Sequence, residues 1–279
     1  MRSLLKPKTT GAETLELCSS SIRDEEIKQG LQKSIPLVTQ AELLYTSLGA
    51  ESRLYSCCVV SNPDLTYDLA KHVYEQTFVR STKTRNIYAN LKKGCSNDIC
   101  PLCGQGTVSQ LDHYLPIANF PIFGLSPINL VPACSDCNKK KLTHTPDEAG
   151  KQTLHPYFDN IDQDRWLFGA VVEEKPATVV FSIKAPSNWN DVKRARVATH
   201  FHIYKLDTLF AIHAAVEINN IRFELQNMAI GQDFPSQISE HLHECARSRA
   251  AVYQNSWQRA TYEALAMSTW FCSGGFKLN

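Results

Sequence analysis

The chain has 279 residues, and its 29 Lys and Arg against 28 Asp and Glu leave a formal net charge of +1. That length suits one large domain or two small ones, and near-neutrality excludes the broad basic excess of proteins that read long stretches of duplex, so any nucleic-acid contact must come from local basic patches. No apolar run is long enough to span a bilayer, and the start, Met1-Arg-Ser-Leu-Leu-Lys-Pro-Lys8, lacks the apolar core of a signal peptide, so the expected location is cytoplasmic with no membrane partner.

Residues 1–95 read as an N-terminal helical region. A helical stretch covers Glu25 to Lys33. Pro36, which has no N–H to donate, separates it from a second helix that Thr39-Gln-Ala-Glu42 opens as a capping box and Gly49 ends. Leu65, Leu69 and Val73 recur at helical spacing after Asn62-Pro63-Asp64. From Thr77 to Asn97 there is no acidic residue; Arg80, Lys83, Arg85, Lys92 and Lys93 lie there with Tyr88 among them, a candidate phosphate-contacting segment.

From Ile99 to Lys141 cysteine, glycine and proline rise, and helical periodicity is lost until Ala133. Leu154-His-Pro-Tyr-Phe-Asp159 then leads into two β-rich runs, Trp166 to Val172 and Ala177 to Ile183, which read as a hairpin. Within that link His155 has either a packing role or a place near a phosphate, packing being favoured. From Asp191 the pattern is helical again. Lys193, Arg194 and Arg196 form a solvated helix surface, Asp207 is placed to cap a helix whose face is Leu209, Ile212 and Val216, and Gly231 to Pro235 separates it from one last long helix.

The 10 cysteines of a cytosolic chain are not expected to form a disulfide framework. Six of them, Cys18, Cys57, Cys58, Cys95, Cys245 and Cys272, are scattered and read as buried or inert thiols. The other four form Cys100-Pro-Leu-Cys103 and Cys134-Ser-Asp-Cys137. Each pair puts two thiolates on one tight turn, and two such knuckles complete a closed tetrahedral site, the ligand set of a structural Zn2+.

Between and beside the knuckles lie Leu111-Asp112-His113, then Asn129 in Pro127-Ile-Asn-Leu, then Asn138 directly after Cys137 and before Lys139-Lys140-Lys141. This ordered set resembles the HNH endonuclease family and its ββα-metal fold, including the zinc-containing members in which the last motif position follows the second Cys-x-x-Cys. The resemblance implies His113 as general base, Asn129 as the residue that fixes the loop and imidazole, and Asp112 and Asn138 as ligands of one catalytic Mg2+ or Mn2+. Such residues suit the chemistry: a neutral imidazole takes a proton from water near pH 7, and a hard ion on oxygen ligands offsets charge on phosphorus. Lys139, Lys140 and Lys141 are candidate phosphate contacts.

The expected fold is therefore α+β, a zinc-stapled ββα-metal module at 96–160 between helical region 1–95 and a hairpin-plus-helices region 161–279. The expected activity is hydrolysis of DNA to 5′-phosphate and 3′-hydroxyl ends. The layout is similar to bacterial anti-phage and restriction HNH proteins, which often work with an ATPase or other regulatory partner. An RNA-cleaving enzyme and a non-catalytic zinc module that binds nucleic acid remain the alternatives.

Overall fold

A computed structural model describes residues 1–231 and 233–278; of the breaker expected at 231–235, Gln232 lies outside the described residues. The chain is α+β and forms two compact units, Met1–Ile161 with Ala195–Tyr204, and Asp162–Arg194 with Lys205–Asn279. The regions expected at 1–95 and 96–160 thus share one unit, a division falls at 161/162, and residues 195–204 return to the first unit. Among the described residues no helix is long and apolar enough to cross a membrane.

In the first unit, α1 (Gly11–Ser19) starts at a Thr10–Glu13 capping box. Helix α2 (Glu25–Ala50) is capped by Asp24, whose carboxylate accepts from the backbone of Glu26 and Ile27. The break expected at Pro36 does not occur: α2 runs through it as one helix. Leu31, Ser34, Val38, Ala41, Tyr45 and Leu48 are all buried and recur every three or four residues across the proline, one unbroken stripe. Burying several such side chains at about 1.5–3 kcal/mol each outweighs the ~3 kcal/mol an interior proline costs, and the Pro36 ring itself lies on the exposed side. Thr39 is accordingly inside the helix, its hydroxyl donating to the Ile35 carbonyl at 2.9 Å and capping nothing.

Next come α3 (Tyr67–Val73), which runs on into a wide π-type turn over Tyr74–Phe78, and α4 (Arg85–Lys93). Two short strands, β1 (Gln110–His113) and β2 (Leu130–Ala133), pair antiparallel with Gln110 opposite Ala133 and His113 opposite Leu130. Helix α5 (Ser135–Lys141) follows at once. The connection from β1 to β2 carries two single turns of 3-10 helix, Pro121–Phe123 and Pro127–Asn129.

The second unit contains the expected hairpin, β3 (Leu167–Val172) and β4 (Thr178–Ile183), with Leu167 opposite Ile183. Helix α6 (Asp191–Ile203) starts in this unit and passes into the first. In the second unit, α7 (Leu206–Met228) packs on β4, and α9 (Trp257–Met267) packs on both β3 and α8 (Phe234–Ala250). Gly169 of β3 allows the close approach, since a Cβ there would stand 2.8 Å from the Ala260 carbonyl oxygen. Two expectations change here. Asp207 lies in the first turn of α7 behind Lys205, and the buried face is Leu206, Phe210, Ala214, Ile218 and Leu225, whereas Ile212 and Val216 are 58% and 53% exposed. The helix is apolar on more than one side, so spacing alone does not choose, and the edge contact of Phe210 with Phe181 of β4 at 5.6 Å selects the face. The last long helix is two helices, α8 and α9, with Ser256 capping the second through the Arg259 amide.

Candidate metal centre and catalytic cleft

The first knuckle is closed by its own backbone. The Cys100 amide donates to the Gly106 carbonyl at 2.7 Å and the Gly104 amide to the Cys100 carbonyl at 2.8 Å. Gly104 takes φ +69°, the left-handed region this turn requires. The Gly106 amide donates to Cys103 Sγ at 3.2 Å, and a Cβ on Gly106 would fall 2.8 Å from Cys134 Sγ. In the second knuckle Cys134 is the N-cap of α5, its sulfur accepting from the Cys137 amide. All four sulfurs, buried, lie within 4.8 Å of one another. A tetrahedral ion with bonds of 2.3 Å needs sulfurs about 3.8 Å apart, and Cys103 and Cys134 are 3.9 Å apart. The donor set and its size fit a structural metal such as zinc. Hydrogen bonding among the four sulfurs lowers the Cys103 and Cys134 thiols, Cys134 to about 7, and raises those of Cys100 and Cys137. Behind the knuckle, buried His200 donates from Nε2 to the Leu102 carbonyl at 2.8 Å.

The six other cysteines are dispersed: Cys18, Cys57, Cys95 and Cys272 are buried, Cys245 is half-buried and Cys58 exposed. Burial pushes the Cys18 thiol up to about 12 and those of Cys57 and Cys95 to about 11.

Strand β1 sends Asp112 and His113 to opposite sides. His113 Nε2 lies 2.9 Å from the Gly124 carbonyl oxygen, and its ring packs on Tyr74 with centroids 4.6 Å apart. A carbonyl only accepts, so Nε2 carries the proton and the neutral ring has its lone pair on Nδ1. Desolvation holds the His113 pKa down at about 4, against the pull of the Gly124 carbonyl. Asn129 is fully buried and uses its whole amide: Oδ1 accepts from the Leu115 amide at 2.7 Å and from Tyr45 Oη at 3.0 Å, while Nδ2 donates to the carbonyls of Leu115 and Phe123 at 3.0 and 3.3 Å. It therefore fixes the loop whose next carbonyl, Gly124, orients the imidazole.

Asn138 and His113 line one cleft of about 290 Å³ together with Tyr67, Lys71, Tyr74, Glu75 and Tyr88. Asp112 does not line it. Its carboxylate is buried against Lys141, with Nζ 3.2 Å from Oδ2 and side chains only 6% and 2% exposed, and the same ammonium donates to the His113 carbonyl at 2.6 Å. Two expectations are corrected by this pair. Lys141 is a buried counter-ion and presents nothing to a phosphate. Asp112 is neutralised by an ammonium, so Asp112 and Asn138, as arranged, do not fit a divalent cation. Of the neighbouring lysines, Lys139 is exposed, while half-buried Lys140 is tied to the Tyr204 carbonyl at 2.9 Å.

Other candidates sort by burial. His155 is a core residue, hydrogen-bonded to Tyr45 Oη and to the Tyr157 amide and held neutral by desolvation. Arg196, expected on a solvated face, is buried in a two-pronged pair with Asp159 at 2.7 and 2.6 Å. Lys83 is turned away to the Ser20 carbonyl at 2.8 Å, whereas Arg80, Arg85, Lys92 and Lys93 line a cleft with Tyr88. Sequence reasoning missed Tyr67, Lys71 and Tyr74. Their spacing, four residues and then three, marks one helical face, but the apolar series Leu65, Leu69 and Val73 drew the eye to the other.

No family model matches the sequence. No solved structure matches it either. The chain is similar to protein ea31 of Escherichia phage lambda, 26% identical over 298 aligned positions that cover 98% of this chain and 100% of that protein.

Proposed function

We propose that the chain is an HNH-type endonuclease that hydrolyses phosphodiester bonds in nucleic acid, DNA being the favoured substrate, with His113 as its general base. One observation carries the reading: a neutral imidazole, its tautomer fixed by the Gly124 carbonyl, lines an open cleft beside Asn138. The order of strand, strand and helix around it, and the four-cysteine cluster at the base of that helix, support it. In this reading Nδ1 takes the proton of the attacking water, and the Gly124 carbonyl steadies the imidazolium that forms. The zinc is structural, pinning the start of β1 to the start of α5. Asp112 is held by Lys141 and, as arranged, does not offer its carboxylate to Mg2+ or Mn2+. Cytoplasmic action against foreign DNA, with an ATPase or other regulatory partner, belongs to this proposal through the family resemblance alone.

The test is to incubate purified protein with plasmid, single-stranded DNA and structured RNA, with and without Mg2+ or Mn2+. Cleavage that disappears in His113→Ala, with metal content and fold retained, is the expected result. Cleavage by His113→Ala at the normal rate overturns the assignment, and binding without cleavage on any substrate favours the non-catalytic zinc module.

A further inference from the structure

We infer that the nucleic acid this protein takes is an unpaired strand, held along a track from the basic face of α4 to the tyrosine-lined cleft at His113. The inference rests on the nuclease reading for its chemistry, but binding alone tests it.

Two clefts of the first unit adjoin, since Val79 and Tyr88 line both. The larger, of about 680 Å³, carries Arg80, Arg85, Lys92 and Lys93 against one acidic residue, Asp98. Arg85, Lys92 and Lys93 lie along α4, where seven residues rise about 10 Å, so the cations are spread along the groove. Lys92 is already anchored to the Ser109 carbonyl at 2.9 Å, with its ammonium 5.7 Å from the Tyr88 ring centre. Arg80, Arg85 and Lys93 are exposed.

Past Tyr88 the lining changes from cationic to aromatic. Tyr67, Tyr74 and Tyr88 all line the His113 cleft, where the charges are Lys71 and Glu75. Tyr67 is 38% exposed and Tyr88 half-buried, so each ring has surface to offer. A cationic groove that grades into aromatic rings is the arrangement that grips a single strand, with phosphates on the cations and bases on the rings. In a duplex the bases are stacked on one another, and reaching these rings would cost their unpairing. The overall charge of +1 supplies no broad field to hold a duplex by its phosphates instead.

The experiment is fluorescence anisotropy with labelled oligonucleotides of one sequence as single-stranded DNA, single-stranded RNA and duplex DNA, all in a His113→Ala background that prevents cleavage. At least tenfold tighter binding of a single strand than of the duplex is expected, and the DNA and RNA arms say which sugar is preferred. Tyr67→Ala and Tyr88→Ala should each weaken single-strand binding severalfold at an unchanged salt slope. Tyr88→Phe should retain it and Tyr88→Leu should not, which assigns the loss to the aromatic ring and not to the hydroxyl or to apolar packing against Phe78. Arg80→Glu with Arg85→Glu should weaken binding and flatten the salt slope. Equal or tighter binding of the duplex, or indifference to both tyrosine-to-alanine changes, overturns the inference. Single-strand binding through these residues without cleavage by the unmodified protein leaves the inference standing and removes the nuclease reading. Cleavage of duplex with no single-strand preference does the reverse.

Discussion

Lys141→Met asks whether Asp112 is a structural anion or an available ligand. Methionine keeps most of the side-chain volume and removes the ammonium. Both side chains of the pair are almost wholly buried, at 6% and 2% exposure, so the buried-pair magnitude applies and solvent screening is slight. Removing one partner of such a pair costs about 3–5 kcal/mol, because the remaining charge is left uncompensated. The lost hydrogen bond to the His113 carbonyl is part of the same loss, so the expected destabilisation is about 4 kcal/mol. For a protein of this size that lowers Tm by roughly 8–16 °C. The sign of the pH dependence follows from Asp112. Burial already raises its pKa and Lys141 opposes that rise, so removing Lys141 raises it further. A carboxyl whose folded pKa is raised gives stability that is fully present below its unfolded pKa of about 3.9 and lost as pH rises through the folded value. The deficit of the variant should therefore be largest at neutral pH and shrink as pH falls toward the ordinary carboxylate range. Urea unfolding at pH 7.5 and pH 5, with the unmodified protein alongside, measures this. Asp112→Leu combined with Lys141→Met should recover most of the loss, since a well-packed apolar pair commonly replaces a buried ion pair at little cost. A cost below about 1 kcal/mol with no pH dependence would refute the reasoning and return Asp112 to the list of metal ligands.

Elemental analysis should find one zinc per chain, and Cys134→Ser should lower both zinc content and Tm; a fully folded metal-free protein with four titratable thiols would remove the site. Asn129→Asp keeps both acceptor bonds but loses the donors to the Leu115 and Phe123 carbonyls and buries a charge, so urea unfolding should show it less stable by at least about 2 kcal/mol; an unperturbed protein would mean that the loop is held otherwise. On a proven substrate, turnover should hold from pH 8 down to about 5 and halve near the His113 value of about 4, because burial depresses this pKa and the ring stays neutral until pH falls through that value, while the stability its neutral form carries is full only above the unfolded pKa of about 6.5 and is lost between the two. A midpoint near 6.5 would show a solvated imidazole.

The four cysteines were legible because metal geometry forces a spacing, whereas the order of strand, strand and helix around them came only from the resemblance to the HNH family, since β1 with Gln110, Asp112 and His113 carries no strand pattern of its own. Asn129 was legible only as a role, since its four bonds come from a loop and from Tyr45, 84 residues away. The Asp112–Lys141 pair could not be read at all. Lys141 reads as one of three candidate phosphate contacts, and the fact that decides its fate is that the last residue of α5 pairs with Asp112 of β1, a tertiary relation. Arg196 misled for the same reason, its partner Asp159 lying on another segment. Pro36 and the face of α7 failed differently: local propensity and spacing left two answers open, and packing chose.

The same tertiary relations explain why a module with two four-residue strands can hold an imidazole still. The two strands hold His113 only at their end, where this last residue of β1 pairs with Leu130. Its backbone is held by Lys141 through the carbonyl, and its ring by Gly124, whose peptide neighbour Phe123 is held by Asn129. Lys141 in turn is placed by a helix of seven residues whose N-cap is Cys134, one of the four sulfurs. So short a helix is not stable by itself; a metal held by the four cysteines would fix its start, as the buried ion pair fixes its end. Removal of such a metal should therefore be felt at His113 through α5 before it is felt in the distant helices, since the restraint on the imidazole would depend on the metal without the metal touching it.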